Sequence, residues 1–296
     1  MNINYGYFRK TFSYQMKIFE TADATREHVH SLSNQHLTIG FVPTMGAIHK
    51  GHLSLVHRAA AENKRIAVSI FVNPIQFNNP ADLRNYPRDL GADLKLLKPL
   101  LGKDDFIFAP SVAEMYPKPE THRYDFGPLA DVMEGRFRPG HFNGVGVVVN
   151  KLFRIIEPQT AYFGEKDFQQ LAIVRRLIAI EKLPVKIIPC AIIREPDGLA
   201  MSSRNVRLTA ERRQAAPLIF QTLTRAAGKI ASSNPEELRQ YIISTLNQTG
   251  LFVVEYVEFA DEITLAPVTN WSDSENIRCF IAVQAGEVRL IDNLRI

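Results

Sequence analysis

Cysteine is scarce in this 296-residue chain: Cys190 and Cys279 lie far apart and form no CxxC or other metal-type spacing. That excludes a cysteine-built metal site and suits a reducing cytosol. Long apolar runs are missing too, and none reaches the ~18 residues needed to span a membrane. No block of five or six like charges occurs, and 35 basic against 31 acidic side chains leave a net charge of only +4. So small and scattered an excess does not by itself imply nucleic acid, while anionic small molecules stay open as partners. The opening MNINYGYFRKTFSYQ has neither an apolar core nor an A-x-A-like cleavage site, so it does not read as a secretory signal. Residues 1–15 are expected to be a disordered extension or an upstream start, with Met16 opening the folded chain. Internal repeats and low-complexity segments are absent as well. What is present is ordinary for a globular protein, 46% hydrophobic and 22% charged, and long enough for one large or two modest domains.

Strand and helix signals alternate through the first two thirds. MKIF, HLTIGFV, RIAVSIFV, DDFIFAP, TAYFG and PVKIIPC read as strands. HLSLVHRAAAE, DLGADLKLLKPL and DFQQLAIVRRLIAIEK read as helices, as does FNGVGVVVNKLFRII despite its valines. Such alternation predicts an α/β fold, a doubly wound parallel sheet with ligands outside the carboxyl ends of its strands. After about Ile193 the pattern changes to a polar loop, two helices (LTAERRQAAPLIFQTLTRAAGKIA and PEELRQYIISTLNQ) and the strands FVVEYVEFA, IRCFIAVQ and EVRLIDN. The expected division is therefore 16–192 for the large domain and 193–296 for a smaller α+β domain.

Candidate chemistry falls just past the strand ends. In FVPTMGAIHKGH, Pro43 and Gly46 break the strand, and Gly51 permits close approach to a ligand. His49 and His52 sit three apart at the mouth of a helix whose free N–H groups form an anion site. They could hold a metal, cradle a phosphate or merely pack. A metal would need further ligands, none near in sequence, so the turn, glycines and helix start favour phosphate. Asn73 and Gln76 in NPIQF are amides suited to hydroxyl and carboxylate groups, or part of a simple Asn-Pro turn. In FGEKDFQQ, Lys166 offers a point charge, and Asp167 reads as a ribose or metal ligand or as a helix cap. Gln170 lies one turn further on. Ser202, Ser203 and Arg204 in GLAMSSRN make either a mobile phosphate clamp or a linker. MEGRFRPGHF, with Glu134, Arg136, Arg138 and His141, walls a pocket or merely connects, and no single residue there is assigned chemistry. No Ser–His–Asp or Cys–His nucleophile arrangement is evident.

In order and spacing, PTMGAIHKGH, FVNPIQF, RPGHFNGV, FGEKDFQQL and GLAMSSRN together resemble the pantothenate synthetase (pantoate–β-alanine ligase) family, from about Met16 to the C-terminus. The first resembles the HxGH motif shared with the wider nucleotidylyltransferase and class I aminoacyl-tRNA synthetase group. The others are more specific. The resemblance implies a Rossmann-like sheet of the HxGH type. It also implies ATP-dependent ligation of pantoate and β-alanine through a pantoyl adenylate, releasing pyrophosphate and AMP.

Carried over residue by residue, the resemblance implies an ATP loop of Met45, Gly46, Ala47, Ile48, His49, Lys50, Gly51 and His52. His52 and His49 would act on the phosphates. Gly164, Glu165, Lys166 and Asp167 would contact ATP, with Lys166 on phosphate, and Ile193 would meet the adenine through its backbone. Met201, Ser202, Ser203 and Arg204 would close over the phosphates. Gln76, Gln170 and Asn73 would bind pantoate and β-alanine. Mg2+ would accompany ATP. Where some relatives carry adjacent acidic residues this chain has Ala92-Asp93, which leaves a metal-assisting role for Asp93 open. The C-terminal domain would act as a lid that keeps water from the adenylate. A cytoplasmic homodimer is implied, with no nucleic-acid or membrane partner. The alternatives are another HxGH nucleotidylyltransferase, which should lack the Gln76 and Gln170 pair, an RNA-binding synthetase fragment, and a non-catalytic nucleotide sensor. The mixed charge of EYVEFADEITL and WSDSENIR argues against the fragment. The presence of His49, His52, Lys166 and Arg204 argues against the sensor.

Overall fold

Six short strands build the larger sheet of a computed structural model that describes residues 16–296. The extension expected over residues 1–15 lies outside the described residues. In chain order the elements are β1 (Lys17–Phe19), α1 (Ala22–Ser33), β2 (Ile39–Thr44), α2 (Lys50–Glu62), β3 (Arg65–Ile70), α3 (Pro80–Arg84), α4 (Leu90–Leu97), β4 (Phe106–Phe108), α5 (Val112–Met115), α6 (Met133–Phe137), α7 (His141–Ile156), β5 (Thr160–Gly164), α8 (Phe168–Glu181) and β6 (Lys186–Cys190). All six strands read from the sequence are present.

The strand order is β1-β4-β3-β2-β5-β6. The pairings β1–β4, β4–β3, β3–β2 and β2–β5 are parallel. β2 and β3 are central, and both faces of each are covered, which is why GFV and IAVS are continuously buried and do not alternate. α2 turns Leu55, Val56 and Ala59 inward, where they join Val42, Ile66, Val68 and Ile107 in one cluster. Each large apolar side chain of this kind contributes roughly 1.5–3 kcal/mol on burial. α7 is helical although valine-rich, because twelve of its residues are buried and packing overrides a weak propensity. The chain leaves β2 for β3 on one side, and β5 pairs on the other. The order therefore reverses at β2, the kind of switch point that opens a crevice outside the strand ends.

Two compact units are distinguished. One comprises the described residues up to 125 with 140–163 and 174–190, and the other comprises 126–139, 164–173 and 191–296. The second contains β7 (Val253–Asp261), β8 (Ile277–Ala285) and β9 (Val288–Arg295), an antiparallel sheet in that order. Its core combines Phe259, Ile281 and Val283 with Leu238, Ile242 and Leu246 of α11 (Pro235–Asn247), spaced one helical turn apart. The single helix expected over LTAERRQAAPLIFQTLTRAAGKIA is in fact two, α9 (Ala210–Ala215) and α10 (Leu218–Ala227). Pro217 separates them: it has no N–H to donate, and its ring crowds the carbonyl four residues back.

Candidate active site

The loop leaving β2 is held from two directions. Thr44 Oγ1 donates to the carbonyl of Ser69 (2.7 Å) and accepts from the Gly46 N–H (3.1 Å). Gly46 and Ala47 then both take positive φ, +77° and +50°, a turn that a non-glycine residue adopts only under constraint. The constraint is Asp93 of α4, which is 4% exposed. Its Oδ2 accepts from Ala47 N–H (3.0 Å) and its Oδ1 from Ile48 N–H (2.7 Å). A Cβ on Gly46 would lie 2.8 Å from Asp93 Oδ2, so the strap needs glycine there. Burial raises the Asp93 carboxyl above its ordinary value, while the two N–H donors pull it back.

α2 opens with a capping box made of histidines. His49, in extended conformation, accepts the Gly51 N–H on Nδ1 (3.1 Å), and His52 Nδ1 accepts the His49 N–H (3.4 Å). The rings stack with centroids 4.0 Å apart. Because each Nδ1 is an acceptor, each neutral ring carries its proton on Nε2. The pair thus presents Nε2–H donors at the positive end of a helix dipole.

Past β3, Pro74–Gln76 form a 3₁₀ turn. Asn73 is 1% exposed and Gln76 8%. Asn73 Nδ2 donates to Gln76 Oε1 (2.9 Å) and to the Gly144 carbonyl (3.1 Å), and its Oδ1 accepts from the Tyr116 hydroxyl (2.7 Å). Asn73 therefore lies behind Gln76, whose Nε2 points to Met45 Sδ at 3.3 Å. In this way the structure brings Met45 of the loop and Gln76 together.

In the second unit, two residues near the end of β9 hold two of the other candidate segments. Asn293 Nδ2 donates to the carbonyls of Glu165 (2.9 Å) and Lys166 (3.0 Å) and pins the GEKD turn. Its neighbour Asp292 takes a two-pronged bond from Arg194 (2.6 and 2.9 Å). Arg194 also pairs with Ala200 across a tight reversal, at whose base Met201 N–H donates to the Ile193 carbonyl (3.0 Å). Two adjacent residues of one strand thereby hold the GEKD turn and the Ile193–Met201 reversal. Lys166 Nζ lies 3.5 Å from Asp167 Oδ1. Ser202, Ser203, Arg204 and Gln170 are half-buried, and Met201 is buried.

Glu134, 7% exposed, is the hub of a buried network in this unit. It receives both prongs of Arg289 (2.7 Å each), the Tyr256 hydroxyl (2.8 Å) and Arg138 Nη1 (3.4 Å). Burial alone would push its carboxyl up, yet the Arg289 guanidinium holds it at about 2.

Sequence reasoning missed the roles of Asp292, Asn293 and Tyr116, and left those of Asp93 and Glu134 open. One signal was available: Asp292-Asn293 places two polar residues side by side inside a strand, so that one of them faces inward on either face. Among the described residues no three His, Cys, Asp or Glu side chains gather as a metal site would need.

Comparison with known proteins places these residues in context. The family model described as pantoate-beta-alanine ligase matches residues 17–295. A pantothenate synthetase of Porphyromonas gingivalis (strain ATCC 33277) is 47% identical over 280 residues, covering 95% of this chain and 99% of the relative. One from Azobacteroides pseudotrichonymphae is 48% identical over 279 residues, 94% of this chain and 99% of its own length. Among solved structures, a pantothenate synthetase of Thermus thermophilus superposes with a TM-score of 0.86 at 40% identity, covering 94% of this chain and 99% of that one. A pantoate-beta-alanine ligase from Francisella tularensis, complexed with beta-gamma ATP and beta-alanine, superposes at 0.79 and 38% identity, covering 95% and 97%.

Proposed function

This chain belongs to the pantoate–beta-alanine ligase family, and we propose that the ATP-dependent joining of pantoate to β-alanine that it catalyses runs through a pantoyl adenylate. In the first step a pantoate carboxylate oxygen attacks the α-phosphorus, the bond to the β-phosphate oxygen breaks, and pyrophosphate leaves. In the second the β-alanine amine attacks the activated carbonyl carbon. The carbon–oxygen bond to AMP breaks, the amide forms, and the nitrogen sheds its proton.

The observation that carries this reading is the histidine capping box at the carboxyl end of β2. Negative charge grows on the departing pyrophosphate, and donors fixed in advance stabilise it at no reorganisation cost. His49 and His52 supply Nε2–H groups, with His52 acting as a hydrogen-bond donor. Lys166 and Arg204 supply charge, and Ser202 and Ser203 supply hydroxyl donors. Gly164, Glu165 and Asp167 contact ATP, the backbone at Ile193 meets the adenine, and Met201 closes over the phosphates with Ser202, Ser203 and Arg204. Gln76 and Gln170 bind the two small acids, and Asn73 acts through Gln76. Asp93, with both oxygens on backbone N–H groups, serves the loop. The Mg2+ of this scheme arrives on ATP, and no step is assigned to a metal held by protein side chains. A cytoplasmic homodimer belongs to the same proposal. The buried thiols Cys190 and Cys279 suit a reducing compartment.

The test is product identity. With ATP, Mg2+, pantoate and β-alanine the purified protein should release AMP, pyrophosphate and pantothenate. Without β-alanine it should release pyrophosphate and retain a bound adenylate. Formation of ADP and phosphate would overturn the adenylate.

A further inference from the structure

We infer that Tyr116 is a positioning residue that, through Asn73, fixes Gln76 as a hydrogen-bond donor toward the substrate, so that Gln76 meets an acceptor oxygen of a small acid and not an ammonium group. The inference rests on the reading of Gln76 as a substrate-binding residue and adds its polarity and its support.

An amide has two faces, and which one Gln76 shows is decided behind it. The Gly144 carbonyl can only accept, so the Asn73 atom 3.1 Å from it is the nitrogen. Asn73 Oδ1 then faces the Tyr116 hydroxyl at 2.7 Å, and that hydroxyl must donate. Burial pushes the Tyr116 hydroxyl well up, which keeps its proton in place. The second Asn73 N–H points at Gln76 from 2.9 Å, so the Gln76 atom there is Oε1. With Oε1 turned toward Asn73, the other Gln76 group is Nε2, directed toward Met45 on the loop that follows β2. Each link forces the next, and the chain starts from a backbone carbonyl whose identity is unambiguous.

The relay also has a rigid frame. His141 Nδ1 lies 2.8 Å from the Gln76 carbonyl, and only a donating Nδ1–H satisfies that contact. A Cβ on Gly144 would come 2.6 Å from the Ile75 carbonyl and 2.8 Å from Gln76 Cα, so α7 presses directly on the turn. Behind the relay, Lys151 Nζ sits 5.2 Å from the centre of the Tyr116 ring and pairs with Glu120 at 3.1 Å. A donor held in this orientation favours a substrate oxygen with a lone pair aimed at it over a group that can only donate.

The test compares the parent enzyme with Gln76→Glu and Tyr116→Phe, measuring kcat and KM separately for ATP, pantoate and β-alanine. Gln76→Glu keeps the shape and the bond from Asn73 but turns an acceptor toward the substrate. Its kcat/KM for one of the two acids should fall about 10- to 100-fold or more, with KM for ATP within about threefold. Tyr116→Phe keeps the ring and removes only the donor, and it should raise KM for that same acid about tenfold. A Gln76→Glu enzyme within about threefold of the parent on both acids would overturn the inference. So would a Tyr116→Phe enzyme that melts lower but keeps all three KM values, or raises them together. If the parent itself forms no AMP from pantoate and β-alanine, the functional reading falls first. If the parent turns over and the variants match it, only the relay falls.

Discussion

Replacing Asp93 by alanine should separate the strap from the chemistry it supports. The carboxylate makes two bonds to backbone N–H groups, at 2.7 and 3.0 Å. Charge-assisted bonds of this kind contribute about 1.5–3 kcal/mol each. The burial that raises the Asp93 carboxyl gives part of that back, so a net loss of about 2–4 kcal/mol of stability is expected. The functional effect should be larger. Without the strap, the Ala47 φ of +50° loses the carboxylate bonds that favour it, and relaxation of Met45–Ile48 carries His49 and His52 with it. A displacement of about 1 Å at a reacting group costs on the order of 10²-fold in rate. The assays are urea unfolding and pantoate-dependent exchange of pyrophosphate into ATP, which reads the first half-reaction alone. The expected protein is folded at about 25 °C, less stable, and about 10²-fold slower in exchange at saturating substrates. A variant that unfolds more readily yet exchanges within about threefold of the parent would refute the positioning argument. Rescue of exchange by raised Mg2+ would do the same and return Asp93 to a metal role.

Two further outcomes follow from the second unit. Asn293→Leu keeps the bulk but removes the donor to the Glu165 and Lys166 carbonyls. It should raise KM for ATP about tenfold while leaving KM for β-alanine unchanged, and equal shifts in both, seen in steady-state kinetics, would count against the staple. Glu134 is held at about 2 against an ordinary 4.5, so its folded form is depressed and its contribution is present above pH 4.5. That contribution, roughly 3 kcal/mol for a shift of this size in a coupled buried pair, should fade as the pH falls from 4.5 toward about 2. Glu134→Gln should flatten this part of the stability–pH curve measured by urea titration, and an unchanged slope would show that the charge of Glu134 is not what Arg289 holds.

His49 and His52, at the start of α2, show how far a sequence carries. Apolar run, breaker and helix start stand next to one another in FVPTMGAIHKGH, and each is a local signal, so strand, turn and helix are all legible. The capping box is not, because histidine is not a usual capping residue and only its ring geometry shows Nδ1 accepting. Pro217 is visible, yet the apolar spacing on either side hides the break it makes. Asp93 stands out in the sequence for its immediate neighbours, whereas its partners lie 45 and 46 residues back along the chain.

Periodicity and turn chemistry act over a few residues, and they are enough for the parallel sheet, its order of strand and helix, and the choice of candidate segments. Partnerships across long separations depend on how the elements pack. Tyr116 reaches Asn73 over 43 residues, Asn293 reaches Glu165 over 128, and Arg289 reaches Glu134 over 155. No pattern in the chain announces such pairs, since each needs only a polar residue at a spot that two elements happen to share. The composition thus speaks for which groups are available, and the packing settles which way an amide faces, which backbone a carboxylate holds and which charges meet out of water.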